Sequence, residues 1–361
     1  MILNFLNIAQ VRNISQAEGE ISPHFNLFYG LNGSGKTSIL ESLFLLTHGR
    51  SFRTRKMDRV IQSGKEELWV RGVLGDPQGP SLTMGVKRGL DGTVQFKLGQ
   101  EDIKQCGELA RQYPLLLINP DSYRLLEMGP FYRRQFMDWG LFHVEHEFHG
   151  LWQRFQRILK QRNEGLRQGL KAPLLKAWDE SFVALAEAID EKRRHYLEGF
   201  LEIFHPILEK WSPTKGISLH YQRGWAQKSD LTTLLAQNLE KDYGTGHTTY
   251  GPHRGDLVMK VGGYQAHEVL SRGQQKLLLF ALRLTQGRLL KELTGKGCGY
   301  LVDDLTAELD EIHQERVVNW FFEEGFQVFL TGVDAAPFVS LFKDKIAHRF
   351  HVEHGVVSRQ A

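Results

Sequence analysis

The chain has 361 residues, of which 41% are hydrophobic and 24% charged, the composition of a globular protein with room for one large domain or two moderate ones. Its two cysteines, Cys106 and Cys298, stand far apart in no metal-like spacing, which excludes a disulfide framework and suits a reducing compartment. A formal net charge of +3 permits nucleic-acid binding without demanding it; the start MILNFLNIAQVRN has no leader pattern and no segment nears the ~18 to 20 apolar residues of a membrane span, so a cytoplasmic protein without membrane partner is expected.

In chain order, FNLFY (25–29) reads as a strand running into a glycine loop, and 37–46 as a helix. ELWVRGVL (67–74), SLTMGVKR (81–88) and TVQFKLG (93–99) are separated by the turn sequences DPQGP and GLDG, which predicts an antiparallel meander. YPLLLINP (113–120) is a buried strand stopped by proline. From about Leu125 to Leu208 the pattern turns helical, notably at 151–170 and 184–208. Strands return at 217–225 and 256–263, followed by a helix at 271–288, the strand YLVDDL (300–305), a helix near 309–322 and the strand FQVFLTG (326–332). There are no repeats and no low-complexity tract.

The segment Gly30-Leu31-Asn32-Gly33-Ser34-Gly35-Lys36-Thr37 fits G-x-x-x-x-G-K-[ST] between a strand and a helix. Glycines there let backbone N–H groups point at phosphates, and the helix N-terminus adds positive potential. Lys36 would reach the β/γ oxygens, and Thr37 would coordinate Mg²⁺. A second metal anchor should be an acid closing an apolar strand, and Tyr300-Leu-Val-Asp303-Asp304 supplies two. Asp303 would hold Mg²⁺ and Asp304 would polarise the attacking water. Aspartate is also common wherever a strand meets a turn; the P-loop in the same chain favours the metal role. The two motifs lie near opposite ends of the chain, with a helical block between, which predicts a split ATPase head.

SRGQQ (271–275) has a simple reading as a capping box, with Ser271 as cap and Gln274 three residues on. A cap alone leaves Gly273 unexplained, since glycine in a first turn costs roughly 0.5 to 1 kcal/mol relative to alanine. Close approach of a phosphate to the backbone would explain it.

The order of P-loop, distant S-x-G-Q, Asp303-Asp304 and then Ala307-Glu-Leu-Asp310 is similar to the ABC-type ATPase heads shared by SMC proteins and the RecF family. Within that superfamily the chain resembles the RecF family over nearly its whole length, through VRNI (11–14), GLNGSGKTSILE (30–41), HGRSFR (48–53), PFYRRQFMDW (130–139), LKQRN (159–163), YGPHRGDL (250–257), LSRGQQKLL (270–278) and LVDDLTAELD (301–310). The resemblance implies an α/β fold, an ABC-type P-loop head of mixed sheet and helices with an inserted, mainly helical second lobe. On that basis residues 1–122 and 251–361 form the ATPase lobe, the latter carrying the signature and Walker B motifs, and 123–250 form the insert.

The resemblance further implies ATP and Mg²⁺ as ligands and a weak, DNA-stimulated ATPase used as a switch. Residues 30–37, Ser38 and Arg12 would contact the nucleotide, and Ser271, Gly273 and Gln274 would close on the γ-phosphate held by a second subunit. Two chains would thus dimerise on ATP at single-stranded gaps and duplex–single-strand junctions, helping RecR and RecO load RecA in repair, replication and the SOS response. Three positions depart from the wider superfamily. Asp304 stands where glutamate is usual, no glutamine near Asn119-Pro120-Asp121 matches the lobe-linking residue, and Thr331-Gly332 replace the switch histidine.

Arg154, Arg157, Lys160, Arg162, Arg167 and Lys171, with Arg133 and Arg134 upstream, could neutralise DNA phosphates; a solvated helix face is the alternative. The spacing of His143, His146 and His149 drifts around a helix and does not match a zinc signature. His253 is expected to order backbone rather than act as a base, and HRFHVEH (348–354) alternates like a strand at the C-terminal edge. The competing readings are the nucleotide-binding subunit of an ABC transporter, which keeps its P-loop and acidic strand closer together, and a P-loop kinase, which needs no S-x-G-Q loop.

Overall fold

The computed structural model describes residues 1–75, 80–211, 214–342, 345 and 347–360, so all of the DPQGP turn except Pro80 lies outside the described residues. The chain divides into two compact units, one made of Met1–Ser122 with Gly295–Ala361 and the other of Tyr123–Thr294.

In the first unit, β1 (Ile2–Val11) and β2 (Ile14–Glu20) form a hairpin, and β3 (Phe25–Tyr29) leads into the glycine loop and helix Lys36–His48. The expected meander follows as β4 (Glu67–Gly75), β5 (Leu82–Gly89), β6 (Val94–Leu98) and β7 (Glu101–Ile103), and β1 pairs antiparallel with β4, giving the order β2-β1-β4-β5-β6-β7. β8 (Leu115–Ile118) ends the N-terminal part of this unit.

The second unit holds helices Pro130–Val144, Phe148–Arg167, Ala172–Trp211 and Arg272–Thr294, with β9 (Ile217–Gln222), β10 (Asp256–Val261) and β11 (Tyr264–Gln265) in a small antiparallel sheet. Here the packing departs from the division expected at residue 250. β10 pairs with β9 from Asp256↔Gln222 to Val261↔Ile217, and in helix Arg272–Thr294 the Gln286 side chain donates to the Phe136 carbonyl at 2.8 Å. Residues 251–294 therefore belong with the helical unit, because their hydrogen bonds and apolar faces are satisfied there.

The chain re-enters the first unit as β12 (Gly299–Val302), β13 (Gln327–Gly332), β14 (Ala347–Glu353) and β15 (Val356–Gln360), in the sheet order β15-β14-β3-β13-β12-β8. Every pair in it except β14–β15 is parallel. FNLFY, GYLV and QVFLTG are buried almost throughout, as strands covered on both faces must be. β14 pairs on both sides, so the edge strand is β15, one element beyond the HRFHVEH segment.

Helix Lys36–His48 carries the P-loop. Its Leu40, Leu43 and Leu46 share one core with Leu3, Leu6 and Ile8 of β1, Val70 and Leu74 of β4, and Phe28, Leu301 and Phe329 of the parallel sheet. The helix is buried from Ser38 to Thr47, polar positions included, and this enclosure by the fold fixes the position of its N-terminus.

Candidate nucleotide site

The loop after β3 is built around three positive-φ glycines, Gly30 at 150°, Gly33 at 81° and Gly35 at 121°. Space adds to the requirement. A Cβ on Gly30 would stand 2.2 Å from the Val352 carbonyl oxygen of β14, and one on Gly35 would meet Asn13 Oδ1 at 3.0 Å. The Ser34 carbonyl accepts from the Gly355 N–H at 2.8 Å and from Asn13 Nδ2 at 2.9 Å, which turns that dipole toward the protein. Gly35 caps the helix without a side-chain acceptor, so first-turn N–H groups are left for a ligand. Ser34 Oγ is buried and lacks a hydrogen-bond partner among the described residues, as expected of a cradle that a phosphate completes.

Lys36 Nζ donates to the carbonyls of Gly30 at 2.7 Å and Leu31 at 2.9 Å, oxygens that stand in for those of a phosphate. Burial lowers its pKa, and the nearby carboxylates of Asp304 and Asp303 act in the opposite direction. Thr37 Oγ1 lies 3.1 Å from Asp303 Oδ1 and 3.3 Å from Oδ2, an arrangement that gathers hydroxyl and carboxylate oxygens of the kind a hard divalent cation takes. These residues fit a nucleotide with Mg²⁺.

Thr331, at the position of the missing switch histidine, donates to Asp303 Oδ1 at 2.8 Å and accepts the Asp304 N–H at 2.8 Å. Asp304 has φ 59°, a left-handed conformation uncommon for a residue with a side chain. It heads the short helix Leu305–Glu308 without a side-chain cap bond to the helix backbone, and its Oδ1 accepts from the Thr306 hydroxyl at 3.4 Å.

Arg12 forks Glu41 at 2.9 and 2.7 Å and donates to the Arg59 carbonyl at 2.7 Å. Glu41 is fully buried and also accepts from Ser51. Asn13 and Gly355, absent from the sequence-based site, brace the loop from β-turns; with φ 82° and a Cβ that would stand 2.0 Å from the Asn13 carbonyl oxygen, Gly355 has to be glycine. The glycine of E-H-G-V (353–356), directly after the HRFHVEH strand, is the sequence signal for this turn.

Ser271, Gly273 and Gln274 belong to the second unit, at the start of helix Arg272–Thr294. The reciprocal box is formed, Ser271 N–H to Gln274 Oε1 at 2.8 Å and Gln274 N–H to Ser271 Oγ at 3.4 Å. Nothing lies within 4 Å of a Cβ on Gly273, so no neighbour in the chain requires a glycine there. Arg272 pairs with Glu127 and lies over the Tyr123 ring at 5.4 Å, two contacts that tie the loop to an adjacent segment and that sequence spacing gave no sign of.

Among the expected DNA cations, Arg154, Arg157, Lys160, Arg167 and Lys171 are exposed, although Arg167 pairs with Glu164 at 2.7 Å. Three others are structural. Arg162 is fully buried and bonds Asp179, Asp242 and Thr248; Arg133 forks Asp256 at 2.6 and 2.9 Å; Arg134 donates to the Gly255 carbonyl at 2.7 Å. A charge pattern along a helix cannot reveal that one of its arginines faces a buried carboxylate. His143 packs against the Trp139 and Phe142 rings and His149 bonds Gln153, and among the described residues no group of three His, Cys, Asp or Glu is placed to hold a metal ion. His253 bonds the Thr248 carbonyl at 3.0 Å; burial above all pushes its pKa down to about 4, so it is neutral and orders backbone. No helix among the described residues is long and apolar enough to cross a membrane.

A family model described as the RecF/RecN/SMC N terminal domain matches residues 2–358. The DNA replication and repair protein RecF of Shewanella baltica is 41% identical over 358 residues, covering 99% of both chains. The chain belongs to the RecF family. RecF of Shewanella oneidensis is 40% identical over the same span. A solved structure of the recombination mediator protein RecF with ATP in the RecFOR pathway superposes with a TM-score of 0.88 at 25% identity, covering 100% of this chain and 98% of that one. The Smc head domain of Pyrococcus furiosus has a TM-score of 0.61 at 16% identity, a likeness of fold alone. The RecF family thus supplies the mixed α/β ATPase head with its helical insertion that the split motifs predicted.

Proposed function

We propose that this protein is an ATP-switched DNA-binding ATPase that acts as a recombination mediator in repair and replication. The single observation carrying this is the convergence of Lys36, Thr37, Asp303 and Asp304 at one end of the parallel sheet, with Thr37 Oγ1 3.1 Å from Asp303 across 266 residues. Family membership and the RecF relatives, one of them solved with ATP, support the biological setting.

Residues 30–38 would hold the nucleotide phosphates, with Arg12 at the margin and Thr37 and Asp303 on Mg²⁺. The bound metal supplies positive charge that offsets the phosphate oxygens. Lys36 leaves its two carbonyl acceptors for phosphate oxygens, an exchange made easy because burial already disfavours its charge without a strong anion. Asp304, held by the Thr331 bond to its N–H, orients and polarises the attacking water. Aspartate is one methylene shorter than the usual glutamate, and a slow reaction follows, which suits a switch.

Ser271, Gly273 and Gln274 of one subunit would close on the nucleotide of another, so ATP joins two chains and hydrolysis releases them. DNA gaps and duplex–single-strand junctions are the target, RecR, RecO and RecA the downstream partners, and the cytoplasm the site of action. Charged DNA contacts would come from the exposed Arg154, Arg157 and Lys160. The deciding experiment is ATP-dependent association with gapped against fully duplex DNA: no ATP dependence, or no preference between them, rejects the proposal.

A further inference from the structure

Within Tyr123–Thr294, a cavity of about 620 Å³ is lined by Arg194, Arg223 and Arg254 with Asp190, Tyr221 and Trp225. The cations around it outnumber the carboxylates they bind. Arg133 forks Asp256, Arg193 forks Asp138, and Asp190 serves both Arg194 at 3.2 Å and Arg223 at 3.7 Å. Arg134 is held by the Gly255 carbonyl, and Arg254 reaches the Thr248 carbonyl through two 3.4 Å contacts. Among these side chains, six guanidiniums thus share three carboxylates. Burial first, and then the neighbouring Arg193, lowers the pKa of Arg134, while Asp138 and Asp256 act in the opposite direction. An uncompensated cluster of this kind in a cleft gains from an anion.

The three lining arginines have different roles. Arg223 lies 4.4 Å from the Trp225 ring centre, and its Nη2 donates to the carbonyls of Ala226 and Gln227 at 2.9 and 3.0 Å, which fixes that plane as a wall. Arg194, with its side chain 55% exposed, and Arg254 keep donors to spare. A fixed guanidinium plane backed by an indole suits a nucleobase, free forks suit phosphate oxygens, and the volume falls in the roughly 300 to 1,000 Å³ range of ligand sites.

We propose that this cavity is a second anion site, separate from the P-loop, that takes the phosphate of a nucleotide unit on Arg194 and Arg254 against the Arg223 wall. Free nucleotides and a single strand offer the same chemistry. A carboxylate ligand fits less well, since each carboxylate brings one negative charge and two oxygens to an excess of several cations.

The test uses the full chain carrying Lys36→Ala, which disables the P-loop, so that failure here is distinguishable from failure of the ATP switch. Pyrophosphate, AMP and oligo(dT) are titrated by calorimetry, with polyglutamate as the carboxylate control. The expected result is saturable phosphate binding that Arg194→Ser with Arg254→Ser weakens about tenfold or more, while Lys65→Ser, at an exposed lysine of the first unit, does not. If oligo(dT) binds and pyrophosphate displaces it only when both arginines are present, the site serves a strand; if pyrophosphate and AMP alone bind there, it serves free nucleotides. Should the serine pair lower the melting temperature, Arg194→Lys with Arg254→Lys keeps the charge and loses the forks, and weaker binding is still expected. Phosphate binding unchanged in folded serine or lysine pairs, absent phosphate binding, or binding of polyglutamate alone overturns the proposal.

Discussion

The hydroxyl of Thr331 donates to Asp303 Oδ1 at 2.8 Å, and its own Oγ1 accepts the Asp304 N–H at 2.8 Å. One residue of β13 therefore sets the rotamer of one acid and the strained backbone of the next. Thr331→Val keeps the shape and removes both bonds. It leaves a part-buried N–H unpaired, at a cost of about 1 to 3 kcal/mol. ATP hydrolysis should fall and need more Mg²⁺ for half-maximal rate, whereas Thr331→Ser retains the wild-type Mg²⁺ dependence; a metal titration of the rate, with a melting curve beside it, checks both.

Lys36→Arg places a planar fork where a point charge now sits between the Gly30 and Leu31 carbonyls, and should weaken ATP binding and ATP-dependent dimerisation together. Ser271→Arg acts in the other unit. It breaks the capping box and sets a cation at a helix N-terminus, so ATP binding should persist while dimerisation is lost. Sedimentation with and without ATP and Mg²⁺ separates the two outcomes, and a dimer in Ser271→Arg would remove this loop from the interface.

Arginines on one helix should behave oppositely, Arg162 on one side and Arg154 with Arg157 on the other. Arg162→Ala strands the buried Asp242 and unpairs the part-exposed Asp179, and should cost about 3 to 5 kcal/mol of stability in denaturant unfolding. Charge reversal of the exposed Arg154 and Arg157 should leave the melting point near wild type, lower DNA affinity and flatten its salt dependence. An unchanged slope would move the DNA face elsewhere.

His253 predicts a pH effect. Its pKa of about 4 lies below the ordinary 6.5 because burial disfavours the imidazolium and Arg254 and Arg134 repel it, while Asp242 and the Thr248 carbonyl only partly offset this. Below about pH 6.5 the unfolded chain takes up a proton that the native state refuses, so stability declines between about pH 6.5 and 4 and levels off beneath. The loss is about 3 kcal/mol at most. Unfolding free energies from pH 7 to 4 should show this decline in the wild type and a shallower one in His253→Gln; equal slopes would assign it to other groups.

Local chemistry is what the sequence determined. A P-loop needs adjacent glycines, a lysine and a helix start, and Asp303-Asp304 needs only an apolar strand before it, so both sites and the strands around them were legible from spacing and period. The capping box of Ser271 was legible for the same reason, since its bonds join residues three apart. Tertiary structure decided what depends on residues distant in the chain. It brought β3 between β13 and β14, made Thr331 the link between the two acids, and set Asn13 and Gly355 behind the Ser34 carbonyl. It also moved residues 251–294 into the helical unit and turned Arg133, Arg134 and Arg162 inward. A charge on a helix has the same sequence signature whether it meets solvent or a buried carboxylate, and only packing, which selects the partner, separates the two.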